Sequence, residues 1–154
     1  MLDLKDIDLA ELAQALEDHS WEHSWWLDPA TGEIELWSDS FEEQGEPDPD
    51  ERDLRPIDPI PSNEGYADMA EFIEHVRDPR ARDLLERAID GRGAFRRFKD
   101  TLSEFPELQT AWFRFHDIRT ERRAILWLAD ENLIERAAAE RALAERQEPG
   151  PAEL

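Results

Sequence analysis

The stretch SWEHSWWLDPATGEIELWSDSF, residues 20–41, constrains the fold of this chain more than any other. Here alone, apolar residues alternate with period two on both sides of a turn signal. Trp25 and Leu27 alternate with Trp26, and Ile34 and Leu36 alternate with Glu33, Glu35 and Trp37. Between them DPATG supplies Pro29 to start a turn and Gly32 for a left-handed position, so the segment is expected to form a β-hairpin with a short bulged loop. Trp25, Leu27, Ile34 and Leu36 then face a core, with Trp26 and Trp37 on the opposite face. RPIDPIP, residues 55–61, offers one more strand. Its prolines cannot donate to a ladder, which confines it to a sheet edge.

Every other periodic segment is helical. Leu2, Leu4, Ile7, Leu9, Leu12, Ala13 and Leu16 recur near every 3.6 residues and predict a helix over roughly 6–18 with Asp6 or Asp8 as its cap. Ser62 or Asn63 is expected to cap a helix carrying Tyr66, Met69, Phe72, Ile73 and Val76. Pro79 opens a second with Leu84, Leu85, Ala88 and Ile89, ending at Gly91. A third begins near Gly93 with Phe95, Phe98, Leu102 and Phe105, a fourth covers about 107–129, and Asn132 is expected to start the last. EEQGEPDPDERD, residues 42–53, has no large apolar residue and reads as a solvated acidic loop. The fold class is therefore α+β: an N-terminal helix and a small antiparallel sheet, hairpin plus edge strand, packed on a mainly helical C-terminal part. Residues 1–147 are expected to be a single domain, with the loop at 42–53 dividing the sheet-bearing part from the helical part, and residues 148–154 a disordered tail.

Among the 154 residues there is no cysteine, which excludes disulfides, cysteine nucleophiles and thiolate metal sites. The start is amphipathic and acidic, and no run approaches 18 apolar residues, so a soluble cytoplasmic protein without a membrane partner is expected. The chain holds 18 Lys and Arg against 39 Asp and Glu, a formal charge of −21. A uniform −21 would be repelled by phosphate backbones and anionic membranes. The charge is uneven, however: residues 1–60 hold 19 acids and only Lys5, Arg52 and Arg55, a net of 3 − 19 = −16, and residues 61–154 hold 15 bases and 20 acids, a net of −5. Nucleic acid therefore stays open as a partner.

The sharpest local feature is GRGAFRRFKD, residues 91–100. Arg92, Arg96, Arg97 and Lys99 fall within nine residues without an acid. On a helix Arg92, Arg96 and Lys99 share one side, and Phe95, Phe98 and Leu102 the other. Gly91 and Gly93 bracket Arg92 and permit a left-handed helix stop followed by close backbone approach at the next start. Glycines, free helix N–H groups and arginines together make a candidate site for an anionic ligand or an acidic protein surface. The plainer alternative is that these bases neutralise acids of their own molecule. With LDPATGEIEL upstream, MAEFIEHV in the middle and ELQTAWFRFHDIRTERRAILWLADENLI downstream, the chain resembles the bacterial uncharacterised protein family 0158, over most of residues 4–135. The resemblance implies a shared α+β fold and makes Gly91, Arg92, Gly93, Phe95, Arg96, Arg97, Phe98 and Lys99 hallmark positions; it carries over no activity and no cofactor. Trp25 and Trp26 depart from the tyrosines of that family's hairpin.

In AWFRFHDIRTERRAILWLA the expected core stripe is Phe115, Ile118, Ile125 and Leu128, interrupted by Arg122, which needs a carboxylate partner or a cleft. Trp112, His116, Arg119, Arg123 and Trp127 make a second face, from which Trp112 and Arg119 are expected to flank the basic turn. HSWEH, residues 19–23, matches the H-x-x-E-H zinc hydrolase pattern, with Glu71 or Glu74 available as a further ligand. It falls where a helix should give way to a strand, so no metal site is expected there. No phosphate loop, nucleophile elbow or kinase set is present. The sequence therefore points to a non-catalytic binding or regulatory module without cofactor, acting through the turn at 91–99. The alternatives are a nucleic-acid-associated protein, an acidic mimic of a phosphate backbone, and the zinc hydrolase.

Overall fold

The computed structural model describes residues 1–38, 45 and 52–147. The acidic loop, apart from Gly45, Arg52 and Asp53, and the tail at 148–154 lie outside the described residues. The chain is α+β, with six α-helices and one three-stranded antiparallel sheet among the described residues. It clusters into two compact units: residues 1–60 with 120–146, and residues 61–119.

In the first unit, Asp3 accepts the Lys5 N–H and closes a 3₁₀ turn at Leu4–Asp6. Helix α1, Leu9–Glu17, starts where Asp8 accepts the Glu11 N–H at 3.1 Å, and buries Leu12, Ala13, Ala15 and Leu16. Strands β1, His23–Leu27, and β2, Ile34–Ser38, pair in the register Trp25↔Leu36 and Leu27↔Ile34. At the turn the Asp28 carbonyl accepts the Gly32 N–H, and the Asp28 N–H donates to the Glu33 carbonyl, each at 2.8 Å. Gly32 has φ +84°, and a Cβ there would lie 3.1 Å from the Ile7 side chain, so both backbone and space require glycine. Leu27 is fully buried, with Trp25 and Ile34 against the same core. Leu36 differs from expectation: it lies on the core face yet is 41 % exposed, on the outer strand of the sheet, beyond which no further described strand lies.

Strand β3, Arg55–Ile57, is the expected edge strand, pairing with β1 through Trp25↔Ile57 and Leu27↔Arg55 in the order β2-β1-β3. Bonded and non-bonded pairs alternate in an antiparallel ladder. The Asp28–Glu33 bond makes Trp26↔Glu35 a bonded pair towards β2, which leaves Trp25 and Leu27 bonding towards β3 and Trp26↔Pro56 as a non-bonded pair. The missing N–H of Pro56 thus falls where the ladder needs none. Thr120 onward supplies the end of the long helix α5, Pro106–Asp130, and then α6, Arg136–Glu145. Their Ala124, Ile125, Leu128, Ala139 and Ala142 complete the aliphatic core. Asn132 corrects the expectation that it begins the last helix. Its φ is +57°, the Leu133 N–H bonds to the Leu128 carbonyl and the Asn132 N–H to that of Ala129. This is a Schellman stop, in which asparagine tolerates the left-handed position.

In the second unit α2, Ser62–Glu74, begins after Pro61. Neither Ser62 nor Asn63 is the cap: the extended Pro61 occupies that place, and no side chain caps the helix. Helix α3, Pro79–Ala88, opens on Pro79 as expected, with Asp78 accepting the Arg80 N–H at 3.0 Å. Helix α4, Ala94–Leu102, follows Gly93. The core is aromatic, with Phe72, Phe98, Trp112 and Phe115 buried together with Met69, Ile73, Leu85 and Leu102. Phe98 meets Trp112 at 4.8 Å and 77°, and Phe72 meets Phe98 at 6.3 Å and 87°, both edge-to-face. Phe95 is not part of this core: it is 46 % exposed, with its ring lying against Gly65 of α2.

Candidate functional site

The basic turn joins α3 to α4. Gly91 and Gly93 have φ +81° and +75°, so both hold the left-handed backbone that their spacing predicts. They differ in surroundings. A Cβ on Gly91 would meet nothing within 4 Å, whereas one on Gly93 would lie 3.1 Å from Nη1 of Arg97. Arg97 folds back over the turn. Its Nε donates to the Ala88 carbonyl at 2.9 Å, Nη1 to the Arg92 carbonyl and Nη2 to the Asp90 carbonyl. These are carbonyls at and beyond the end of α3, which a helix leaves without internal partners, and a cation there also complements the negative end of the helix dipole. Arg97 is thus part of the turn's architecture.

Arg92, Arg96 and Lys99 are exposed, while Ala94, Phe98 and Leu102 form the buried face of α4. Arg96 approaches Asp100 only at 4.0 Å, with the two side chains 90 % and 74 % exposed. Among the described residues no carboxylate is placed on Arg92 or Lys99. The four bases therefore divide into one that builds the turn and three that face outwards.

Trp112 and Arg119, expected to flank the turn, are engaged inside the second unit. Trp112 is buried between Phe72 and Phe98 and lies 5.4 Å from the His116 ring. Arg119, its side chain 14 % exposed, donates from Nη1 to Asp68 at 3.1 Å and to Glu71, with its guanidinium 4.7 Å over Phe115. The hydrogen bond from Arg119, followed by its charge, holds the Glu71 carboxyl below the usual carboxylate range against the opposing effect of burial. Nearby, the buried Nδ1 of His75 has no hydrogen-bond partner among the described residues. Sequence reasoning missed Asp68 and Glu71 as the acids serving Arg119. Their spacing to Ile73 and Phe72 on one helix was the available signal, since both fall beside the apolar stripe.

Arg122, expected to need a carboxylate or a cleft, donates from Nη1 to the carbonyls of Leu143 and Arg146 at 2.8 and 2.9 Å. Like Arg97, it satisfies the end of a helix. The HSWEH residues do not share a helix. His19 follows α1 and bonds the Ile60 carbonyl at 2.6 Å, while His23 opens β1 and meets Asp18 at 2.6 Å. Asp18 also accepts from Nε1 of Trp25 at 2.9 Å and from the Ser20 N–H. The Trp25 bond, then the His23 bond, hold its carboxyl at about 2. The i, i+4 helical pair that the zinc motif requires is therefore not formed, and among the described residues no three potential ligands are grouped around a metal position. No described helix is long and apolar enough to cross a membrane.

Comparison with known proteins agrees with the hallmark segment's suggestion of kinship. A model of the uncharacterised protein family UPF0158 matches residues 5–148. A curated UPF0158 protein of Pseudomonas aeruginosa is 34 % identical over 136 residues, covering 82 % of this chain and 84 % of the relative. No solved structure matches. On the breadth of the family match and the identity to this relative, the chain belongs to the uncharacterised protein family UPF0158.

Proposed function

We propose that this protein is a non-catalytic binding module of the bacterial cytoplasm, whose contact surface is the basic turn: Arg92, Arg96 and Lys99 engage an anionic group of a ligand or of an acidic protein surface, on a frame set by Gly91, Gly93 and Arg97. One observation carries the reading. In a chain with 39 acids, Arg92 and Lys99 have no carboxylate placed on them among the described residues and Arg96 only the exposed Asp100 at 4.0 Å, while the adjacent Arg97 is held by three carbonyls. Bases whose purpose was to neutralise their own molecule would sit in short pairs, as Arg52 does on Glu35 at 2.8 Å.

The test compares the wild type with Arg92→Glu, Arg96→Glu and Lys99→Glu combined. Binding of inorganic phosphate, a polyglutamate peptide and a short DNA duplex is measured at low and moderate salt. The expected result is an unchanged thermal midpoint with phosphate or polyglutamate binding reduced by about tenfold or more. Unaltered binding of both removes the proposal. Duplex binding that dominates and falls steeply with salt would replace it with the nucleic-acid reading.

A further inference from the structure

We propose that the outer edge of β2 is a docking site for an extended, lysine- or arginine-bearing segment of a partner protein, which adds to the sheet as a fourth strand. The site lies in the first unit and does not depend on the basic turn.

The ladder argument that placed Pro56 also fixes what β2 presents. With Asp28↔Glu33 and Trp26↔Glu35 as bonded pairs, Leu27↔Ile34 and Trp25↔Leu36 are non-bonded pairs. The N–H and C=O groups of Ile34 and Leu36 therefore point away from β1. Among the described residues no strand lies beyond β2, and no backbone group bonds to Ile34 or Leu36 from that side. A row of unpaired strand donors and acceptors is a template for another chain. The sheet's other edge is blunted: β3 is three residues long, and its central residue is Pro56. The 41 % exposure of Leu36 gives an added strand an apolar contact on the core side.

Charge selects the occupant. The start of β2 opens on a recess lined by Asp6, Asp8, Glu11, Gly32, Glu33 and Ile34. It carries four carboxylates and no base, and none of the four has a cation against it among the described residues. A strand laid along β2 brings one of its ends to this recess, where a lysine or arginine is favoured and an acid repelled. A second copy of β2 fits poorly, because its strand, Ile34–Ser38, carries no lysine or arginine to place at the recess.

The probe is the peptide KVTVTVK, with a lysine at each end so that either strand direction places one at the recess. Amide exchange of the full chain is followed by NMR with and without peptide, and affinity by fluorescence anisotropy of the labelled peptide. The expected result is slowed exchange at Ile34 and Leu36, and binding weakened about tenfold or more by Leu36→Pro. That change removes one outward N–H, at a non-bonded position like that of Pro56. Should Leu36→Pro disturb the β1 amide signals, the exposed pair Asp6→Asn with Glu33→Gln is expected to weaken binding in its place. EVTVTVE is expected to bind more weakly than KVTVTVK. The proposal is overturned by absent protection at millimolar peptide, by equal binding of the acidic peptide, or by a dimer in sedimentation that the β2 variants abolish, which would assign the edge to a second copy.

Discussion

The two compact units solve the same packing problem with different materials. The first fills its core with Leu12, Leu16, Leu27, Ile57, Ile125, Leu128 and small alanines; the second relies on Phe72, Phe98, Trp112 and Phe115. Their acid–base pairs differ too. Asp18 and His23 in the first have side chains 24 % and 28 % exposed, whereas Asp68 in the second is 4 % exposed against Arg119. The sheet explains the contrast. In the first unit a hydrogen-bonded register aligns three of the elements, so generic aliphatic side chains suffice behind it. The second is built from helices, with no backbone bond between elements among the described residues to set their alignment. Orientation there must come from side chains with direction: edge-to-face rings and a buried charged pair.

The sharpest way to break this comparison is Phe72→Ala. It removes a ring that meets Phe98, Trp112 and Phe115, and is expected to cost about 3–5 kcal/mol in urea unfolding. A loss below about 1 kcal/mol would mean that the ring cluster does not hold the second unit. Next comes Asp68→Ala, which removes one of the acids bonded to Arg119. The expected loss is about 3 kcal/mol, with Asp68→Asn losing less because the amide can still accept the Arg119 N–H. An equal loss for the two would show that Arg119 needs charge and not a hydrogen-bond acceptor at that place.

The smallest effect sharpens the contrast between the pairs. Asp18 has its carboxyl lowered from 3.8 to about 2 in the folded state, so its contribution is complete above about pH 4 and is lost as pH falls towards 2. Because water reaches the carboxyl, the contribution is no more than about 1 kcal/mol. Asp18→Asn is expected to flatten the stability profile between those pH values, and the Trp25 indole proton to shift over the same range in the wild type. A profile as steep in the variant would place the acid sensitivity of this region elsewhere.

What the sequence reveals follows from how local each cause is. The hairpin, the Gly32 turn, the edge strand with Pro56 and the Asp8 cap depend on residues within a few positions of each other, and all are present. Asn132 was legible as a boundary but not as which boundary, because asparagine serves both a cap and a left-handed stop. Trp112 reads as part of a second face, apart from the core stripe, for a different reason. Helix α5 serves one core with Trp112 and Phe115 and another with Ala124, Ile125 and Leu128, so its apolar positions do not keep to one stripe. In the basic motif the glycines were readable from spacing. The shared side of Arg92, Arg96 and Lys99 was readable too, but the role of Arg97 was not, since only the fold shows its guanidinium reaching back to the carbonyls at the end of α3.

That reach has a consequence for the order of assembly. The acceptors of Arg97 lie five to nine residues before it in the chain, so closing this ring of contacts costs little loop entropy. Its contacts are complete only once the first turn of α4 has placed Arg97 above the turn. The bend between α3 and α4 and the start of the second helix thus belong to one local cooperative step, suited to forming early and orienting Phe98 before the distant aromatic partners arrive.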